Sequence, residues 1–320
     1  MANSNDHFVL ISGTASASLS ENIAKYLKTK VYMPVSCFAD GEIDVQIPVN
    51  VRKRHVFIIQ SACPPDVNKA YVELFAMINA AKLASAGEIT VMIPYFGYSR
   101  QDRKDRPRTP IMASVMAKLL ESLGVDRIVT VDIHTEQSAG FVNIPWDNLP
   151  ASFVFIPKFK AMGLKDLVIA SPDKGGVPRA TFYNKKLSAE GLAIVYKERD
   201  VQTKNISQAL AMIGDVTGSE VVLIDDMIDT GGTICNAADL MMQRGAKAVR
   251  AVVTHGVFSN NALDKITKSA LKEVYVTDTI PLSKEARSNP KIKVVSVAEM
   301  LSGAIKRIHT GESISEKYYL

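Results

Sequence analysis

The sequence predicts an α/β protein with two similar, doubly wound domains, each built on a mostly parallel sheet. Short apolar runs alternate with amphipathic helical segments along the chain, and charged or glycine-bearing loops directly follow several of these runs. With 320 residues, 47% of them hydrophobic, the chain is long enough for about two domains. The loop Asn148-Leu149-Pro150 marks a boundary. We therefore expect domains at 1–149 and 150–320, with the C-terminal segment a candidate to pack back on the first domain.

Composition limits the class of protein. The three cysteines (Cys37, Cys63 and Cys235) form neither a C-x-x-C pair nor an even framework, which indicates a reducing compartment. The first residues lack the pattern of a secretory signal, and no apolar run approaches the ~18 residues of a membrane span. The net charge of +5 suits anionic metabolites as readily as nucleic acid. We expect a cytoplasmic protein with no membrane partner.

The first half begins with a predicted strand at Phe8–Ser12 and a helix at Leu19–Leu27. The turn that follows the next apolar run places Asp40 and Glu42 on either side of Gly41, and by itself it is typical of a solvated hairpin. Further elements are predicted as the strands Val56–Gln60 and Ile89–Pro94 and the helix Val67–Ala86. Alternating strands and helices place ligand sites at the carboxyl ends of the strands.

A charged loop, Tyr95–Arg108, directly follows one predicted strand. It holds five basic residues and two acids, with aromatic residues at its start. Such a loop could be a plain charged surface or a nucleic-acid patch, although interleaved acids weaken the second interpretation. It could also clamp a polyphosphate, because arginine offers a planar fork to phosphate and an aromatic face can carry a purine.

After a predicted helix at Ile111–Leu123, the strand Arg127–Ile133 leads into a group of possible metal ligands. Strand spacing would place Asp132, His134 and Glu136 on one side, where they could hold a divalent cation. A single histidine at a strand end is more often structural.

In the second half, a helix at Phe153–Met162 and a strand at Leu167–Ala170 precede the turn Ser171–Gly176, which opens a helix at Val177–Leu187. The next predicted strand, Leu192–Tyr196, ends in Lys197-Glu198-Arg199-Asp200. Spacing by two would direct Lys197 and Arg199 to the same side, so both cations could reach a single site. A solvated charge run is the alternative.

The most informative stretch is Val221–Thr233. An apolar strand is predicted to leave the sheet at Asp225 and Asp226, and Asp229-Thr230-Gly231-Gly232-Thr233 then turns into a helix. The helix start and its glycines suit a phosphate, whereas carboxylates suit sugar hydroxyls. The pattern is neither a Walker A loop nor a dinucleotide fingerprint. A strand, a turn and a helix cap would explain a shorter match.

Val221–Thr233 closely resembles the phosphoribosyl-diphosphate-binding motif that type I phosphoribosyltransferases share with ribose-phosphate pyrophosphokinases. Tyr95–Arg108 resembles the ATP-binding loop of the pyrophosphokinases, and the transferases have no counterpart to it. The resemblance runs from Phe8 to His309, so the chain is similar to class I ribose-phosphate pyrophosphokinases. It implies two domains of the type I phosphoribosyltransferase kind. It also implies a step of nucleotide biosynthesis, in which ribose 5-phosphate and MgATP give phosphoribosyl diphosphate and AMP.

The resemblance also implies roles for individual residues. Lys197 and Arg199 would stabilise the transferring group, although the middle residue of that motif, usually basic in the family, is Glu198 here. His134 and Asp173 would contact Mg²⁺. The substrates would be bound as follows: ATP by Asp40, Glu42, Arg100 and Gln101, and ribose 5-phosphate by Arg199, Asp225, Asp226, Asp229, Thr230, Gly231, Gly232 and Thr233. Asp40 and Glu42 would come from a neighbouring subunit of a homohexamer.

Two alternatives come from other functional classes. A phosphoribosyltransferase would use the same sugar site but would not need the first half with its ATP loop. A non-catalytic regulatory subunit of the pyrophosphokinase family should lack some of Arg100, His134, Lys197 and Arg199, and all four are present. The sequence therefore favours a catalytic chain with ATP and ribose 5-phosphate as its partners and no nucleic acid.

Overall fold

The computed structural model describes residues 8–197 and 210–319 and divides the chain into two compact units. Unit 1 extends to Pro150 and also contains Thr279–Pro281 and the residues from Ser296 onward. Unit 2 consists of Ala151–Asp278 and Leu282–Val295. Each unit has its own sheet and its own helices, which confirms the predicted α/β class.

Unit 1 is built on a six-stranded sheet in the order β2-β1-β5-β6-β7-β8, in which every neighbouring pair is parallel. A separate antiparallel hairpin, β3-β4, follows β2 along the chain. The central strands β5 and β6 are almost wholly buried, as expected for parallel strands covered on both faces. The strands are β1 (Phe8–Ser12), β2 (Val31–Tyr32), β3 (Val35–Cys37), β4 (Ile43–Val45), β5 (His55–Ile59), β6 (Glu88–Ile93), β7 (Arg127–Val131) and β8 (Trp146–Leu149).

Unit 2 is built on a seven-stranded sheet in the order β11-β10-β9-β12-β13-β14-β15. All neighbouring pairs are parallel except β10-β11 at the edge, which is antiparallel. The strands are β9 (Leu167–Ser171), β10 (Gly191–Lys197), β11 (Leu210–Ile213), β12 (Glu220–Ile228), β13 (Ala248–Gly256), β14 (Leu271–Thr277) and β15 (Ile292–Val295).

The helices lie between the strands along the chain and bury their apolar sides. In unit 1, Leu74, Met77 and Ile78 of the second helix are fully buried in the apolar core. The helices are α1 (Ala17–Leu27), α2 (Val67–Leu83), α3 (Met112–Ser122), α4 (Ser152–Met162), α5 (Val177–Leu187), α6 (Gly232–Gln243), α7 (Ala262–Lys268), α8 (Lys284–Ser288), α9 (Ala298–Thr310) and α10 (Ser315–Tyr318). Of these, α9 and α10 belong to unit 1. None of the helices in the described ranges has the length and apolar character needed to cross a bilayer.

The end of β12 differs from the sequence prediction. The strand does not leave the sheet at Asp225 and Asp226 but continues to Ile228, because its pairing with β13 persists as far as Ile228 and Gly256. Its pairing with β9 on the other side stops at Leu223. The two acids therefore lie on a strand that is still paired on one side and has lost its neighbour on the other.

A histidine at the start of β5 is buried in unit 1. His55 is 8% exposed, its ring stacks on Phe57 with centroids 4.0 Å apart, and its Nε2 lies 2.9 Å from Thr90 Oγ1. The ring of His309 from α9 lies 5.8 Å away, and Glu88 Oε2 lies 3.5 Å from Nδ1. Burial, with smaller contributions from His309 and Arg127, lowers the pKa of His55 from 6.5 to about 4.

We predict that this histidine makes the protein less stable in acid. A histidine whose folded pKa lies below its unfolded pKa binds a proton more readily when unfolded, so stability is lost as pH falls from 6.5 towards 4. Thermal denaturation of wild type and His55→Asn at about pH 7.5 and about pH 5 measures this effect. The variant should melt lower at both pH values but lose less stability between them. An equal loss in both proteins would contradict the prediction.

Candidate functional site

The charged loop and the His134 turn line one cavity in unit 1, of ≈ 650 Å³. Its wall includes three guanidinium groups, from Arg100, Arg103 and Arg106, together with Gln101 and His134. Arg100 and Gln101 were predicted as site residues from the charged loop and His134 from a separate stretch, and the fold brings them together. Asp102 and Asp105 also line the cavity, so its charge is mixed with a cationic excess. Arginine forks at a solvent-accessible opening suit a polyphosphate.

The base of this loop is held by buried contacts. Tyr71 of α2, fully buried, donates its hydroxyl to the main-chain oxygen of Gly97 at 2.8 Å. A Cβ atom at Gly97 would lie 2.4 Å from the main-chain oxygen of Ala62, so only glycine fits there. On the other side, the amide of Ala113 in α3 donates to the main-chain oxygen of Gln101 at 3.2 Å. These contacts anchor the backbone of the loop, while its arginine side chains are exposed.

His134 lies on a turn that the sequence did not predict. Strand β7 ends at Val131, and Asp132 has a φ of 39°, which lies in the left-handed region. Glu136 begins a 3₁₀ helix. Because the chain leaves the extended conformation at Asp132, the predicted placement of Asp132, His134 and Glu136 by strand spacing is wrong. Within residues 8–197 and 210–319, no group of three or more His, Cys, Asp or Glu side chains is arranged to hold a metal ion.

Asp40 and Glu42 lie at the tip of the β3-β4 hairpin, as the local sequence indicated. Both are exposed, and the Asp40 carboxylate accepts a hydrogen bond from the Glu42 amide at 3.0 Å across Gly41, which has a φ of 96°. Neither side chain is among those that line the cavity. Their predicted contact with ATP thus remains a prediction that depends on a neighbouring subunit.

In unit 2 the paired acids of β12 face an arginine. Nη1 of Arg179 lies 3.9 Å from Oδ1 of Asp225 and 3.9 Å from Oδ1 of Asp226. The Asp226 residue is 5% exposed, and the Asp225 side chain is 18% exposed. Sequence reasoning missed Arg179, although its place in the first turn of a helix that follows a glycine turn was a usable signal. The helix packs beside β12, so the guanidinium reaches the acids.

Burial and crowding set the acidity of Asp225. The pKa of Asp225 is raised from 3.8 to about 8, chiefly by burial, then by the charge of Asp226, and to a smaller extent by Asp173. Arg179, at 3.9 Å, does not outweigh these effects. Two crowded carboxyl groups in such a place favour ligands that donate hydrogen bonds or carry positive charge.

The turn after β12 has the geometry of an anion site. Gly231 has a φ of 76°, and α6 begins at the next residue, so the first amide groups of this 12-residue helix have no partner within the helix itself. Two hydrogen bonds from other segments hold the turn. Lys265 Nζ donates to the main-chain oxygen of Thr230 at 3.0 Å, and the Ser259 amide donates to the main-chain oxygen of Asp229 at 2.9 Å. Lys265 was also not anticipated from the sequence.

Three predicted residues remain: Asp173, Lys197 and Arg199. Asp173 is exposed on the turn after β9, where its Oδ1 accepts a hydrogen bond from the Gly176 amide at 3.0 Å. The glycine is required there, because a Cβ atom would lie 2.6 Å from Ser171 Oγ. Lys197 is the last residue of β10. Arg199 falls outside the described residues.

Comparisons with known proteins agree along the whole chain. Residues 8–124 match the model of the N-terminal domain of ribose phosphate pyrophosphokinase, and residues 195–319 match the phosphoribosyl synthetase-associated domain. The ribose-phosphate pyrophosphokinase of Vibrio parahaemolyticus is 48% identical over 97% of this chain and 98% of its own length. The chain belongs to the ribose-phosphate pyrophosphokinase family.

Two further members of this family support the assignment. The ribose-phosphate pyrophosphokinase of Chromobacterium violaceum is 44% identical over 97% of this chain and 94% of its own length. The crystal structure of phosphoribosylpyrophosphate synthetase from Mycobacterium smegmatis superposes with a TM-score of 0.89, at 36% identity, over 96% of this chain and 100% of that one. Family membership confirms the resemblance inferred from the motifs, and the superposition confirms the fold class.

We predict that the buried acid pair lowers the stability of the free protein. A carboxyl group whose folded pKa exceeds its unfolded value costs stability when it ionises, and this cost grows as pH rises from 3.8 towards about 8. Asp225→Asn should therefore raise the melting temperature, and by more at about pH 8.5 than at about pH 5. Asp215 provides the matched control, because hydrogen bonds from Thr217 lower its pKa. Asp215→Asn should not stabilise the protein, and a gain of the same size there would contradict our reading of Asp225.

Proposed function

We propose that the chain is an active ribose-phosphate pyrophosphokinase, which transfers the pyrophosphoryl group of MgATP to the anomeric hydroxyl of ribose 5-phosphate. The products are 5-phosphoribosyl 1-diphosphate and AMP. The observation that carries this proposal is the strand-turn-helix of unit 2, in which paired acids on β12 shortly precede a turn with the geometry of an anion site, in a chain of this family. A sugar phosphate needs both features in one site, because its hydroxyls donate hydrogen bonds and its phosphate accepts them.

ATP would bind at unit 1. Arg100 and Gln101 line the cavity there, and the cationic excess around them opposes the charge of a triphosphate. Asp40 and Glu42 are exposed on a hairpin, where a second copy of the chain could use them. We propose a homohexamer on the basis of family resemblance, with the hairpin of one subunit completing the ATP site of another.

Ribose 5-phosphate would bind at unit 2. Asp225 and Asp226 would accept hydrogen bonds from the ribose hydroxyls, which relieves the cost of two crowded carboxylates. Thr230, Gly231, Gly232 and Thr233 would bind the 5-phosphate through main-chain amides and hydroxyl groups, with Asp229 at the start of the turn. Arg179 would orient the two acids and supply positive charge beside them.

Magnesium is proposed as the cofactor. Mg²⁺ usually keeps several waters and uses one or two protein ligands together with substrate phosphates, so it does not need a preformed cage. The exposed Asp173 carboxylate fits that requirement, and its nearness to Asp225 adds negative charge that favours a cation. His134 lines the cavity of unit 1, where it would contact a nucleotide-bound ion. When bound, the ion would neutralise phosphate charge.

The remaining chemistry is alignment and charge stabilisation. The anomeric oxygen of ribose 5-phosphate attacks the β-phosphorus of ATP, and the bond from that phosphorus to the oxygen shared with the α-phosphate breaks, so that AMP leaves. Lys197 and Arg199 would stabilise the charge that develops on the transferring group. Lys197 lies at the carboxyl end of β10, the edge of the sheet at which parallel α/β domains place their ligands.

The alternatives from the sequence find no support. The full-length match to pyrophosphokinases covers the charged loop of unit 1, which a phosphoribosyltransferase would not need. No observation favours a regulatory chain. We also propose a cytoplasmic location, which suits the free thiols of Cys37, Cys63 and Cys235.

Phosphorus NMR of the purified chain tests the proposed reaction. With ribose 5-phosphate, ATP and Mg²⁺ we expect AMP and a diphosphate ester on carbon one to appear in equal amounts. Formation of ADP with a sugar monophosphate ester would instead indicate transfer of a single phosphoryl group and would overturn the proposal. Absence of both products from the chain alone would support a regulatory role.

A variant of Lys197 tests the proposed catalytic centre. If its ammonium group acts mainly in the transition state, Lys197→Ala should fold normally, bind ATP and ribose 5-phosphate with nearly unchanged affinity, and lose ~10²-fold or more in kcat. Calorimetry measures binding, and AMP release measures turnover. Lys174→Ala is a control, because that lysine lies in the Ser171–Gly176 turn of the same unit and has no proposed role. Near-normal turnover with a collapsed affinity for ATP would make Lys197 a binding residue.

A further inference from the structure

We propose that Tyr319 is a positioning residue for the His134 turn, because its hydroxyl holds the main chain of Asn148, the residue whose side chain holds that turn. The proposal rests on the proposed function only where it links the turn to MgATP. The contacts themselves lie within unit 1 and can be tested independently of catalysis.

The first link is between α10 and β8. The Tyr319 hydroxyl donates a hydrogen bond to the main-chain oxygen of Asn148, which lies 171 residues earlier in the chain. Its neighbour Tyr318 is buried and donates to the main-chain oxygen of Met300 in α9 at 2.8 Å. A Cβ atom at Gly303 would lie 2.4 Å from the Tyr318 hydroxyl, so α9 leaves room for that ring. Tyr318 thus fixes the segment to α9, and Tyr319 connects it to β8.

The second link is between β8 and the turn. The Asn148 Oδ1 atom accepts hydrogen bonds from the Ile133 amide at 2.8 Å and from Thr130 Oγ1 at 3.1 Å. The main-chain oxygen of the next residue, Leu149, accepts one from the Asp132 amide at 3.1 Å. Residues 148 and 149 therefore bind both amides that precede His134.

The turn needs this support because of its backbone conformation. Asp132 has a φ of 39°, which an L-residue seldom adopts unless the surrounding structure holds it. The amides of Asp132 and Ile133 are the groups that β8 holds. Loosening of Asn148 would therefore release the residue that directs the chain towards His134.

The surroundings of Tyr319 keep its hydroxyl a donor. Tyr319 is 48% exposed, and partial burial of its ring, followed by the charges of Asp147, Glu136 and Asp132, raises the pKa of Tyr319 to about 12. The phenol therefore stays protonated at neutral and moderately alkaline pH. Two of these acids, Asp132 and Glu136, flank His134 in the sequence.

The consequence for function concerns MgATP rather than ribose 5-phosphate. His134 lines the cavity of unit 1 with Arg100 and Gln101, whereas the proposed sugar site lies in unit 2. A turn that samples more conformations would present His134 in the binding arrangement for a smaller fraction of the time, which lowers apparent affinity by that fraction. The effect should appear in the requirement for MgATP alone.

Tyr319→Phe removes the hydroxyl and keeps the ring. Hydrogen exchange of the peptide spanning residues 130–136, followed by mass spectrometry in the full-length protein, should be about 3- to 10-fold faster in this variant, the range expected for one net hydrogen bond. The KM for MgATP should rise by a similar factor, with the KM for ribose 5-phosphate and kcat within about twofold of wild type. Tyr318→Phe is the matched control, because it removes a hydroxyl from the adjacent residue that binds α9. It should lower the melting temperature and leave exchange at residues 130–136 unchanged.

Three results would overturn the proposal. One is exchange at residues 130–136 that stays at the wild-type rate in Tyr319→Phe, and another is equal acceleration in Tyr318→Phe, which would show a general loosening of the C-terminal segment. A rise in KM that is as large for ribose 5-phosphate as for MgATP would also reject a specific role at the His134 turn. If the wild-type chain formed no phosphoribosyl diphosphate, the proposed reaction would fail, but the exchange experiment would still decide whether Tyr319 holds the turn.

Discussion

Two adjacent carboxylates on a nearly buried strand are the constraint around which unit 2 is organised. Asp225 and Asp226 would be easier to accommodate in water, and the raised pKa of Asp225 shows the cost of removing one of them from it. Beyond Leu223, β12 keeps its partner β13 but loses β9, so the acids lie where the strand is paired on one side only. Arg179 of α5 reaches both acids from its place beside β12. Instability at a site of this kind is a common consequence of preparing it for a ligand.

In unit 1 the constraint is different: many charged side chains are exposed, and the backbone that carries them must stay fixed. The arginines of the cavity are exposed, and exposed ion pairs contribute little to stability. The backbone is held instead by buried groups, such as the Tyr71 hydroxyl at Gly97 and the Asn148 side chain at Ile133. Each of these contacts joins a side chain on one element to a main-chain group on another. The ligand-facing side chains can therefore adapt while their attachment points stay in place.

Apolar runs in the sequence predicted the structure more reliably than residue spacing at the ends of strands. Apolar runs predicted the strands well, since β1, β6 and β9 begin and end within a residue of the expected positions. Spacing arguments at strand ends were less successful. At Asp132 the expected alternation fails, because a single residue in the left-handed region redirects the chain. At Asp225 the expected end of the strand fails, because pairing with β13 continues. In both cases a hydrogen bond to a distant segment decided the outcome, and local sequence carries no record of it.

The sequence by itself determined the fold class, the division into alternating strands and helices, and the family, because hydrophobic periodicity and short glycine-bearing motifs are local properties. It also identified which loops carry charge. Only the tertiary structure showed that Arg100, Gln101 and His134 share one cavity, that Arg179 faces the paired acids, and that Tyr319 reaches Asn148. These relations join residues from different elements, and in the last case residues 171 positions apart. They arise from packing and strand order, which cannot be inferred from residues that are neighbours in the sequence.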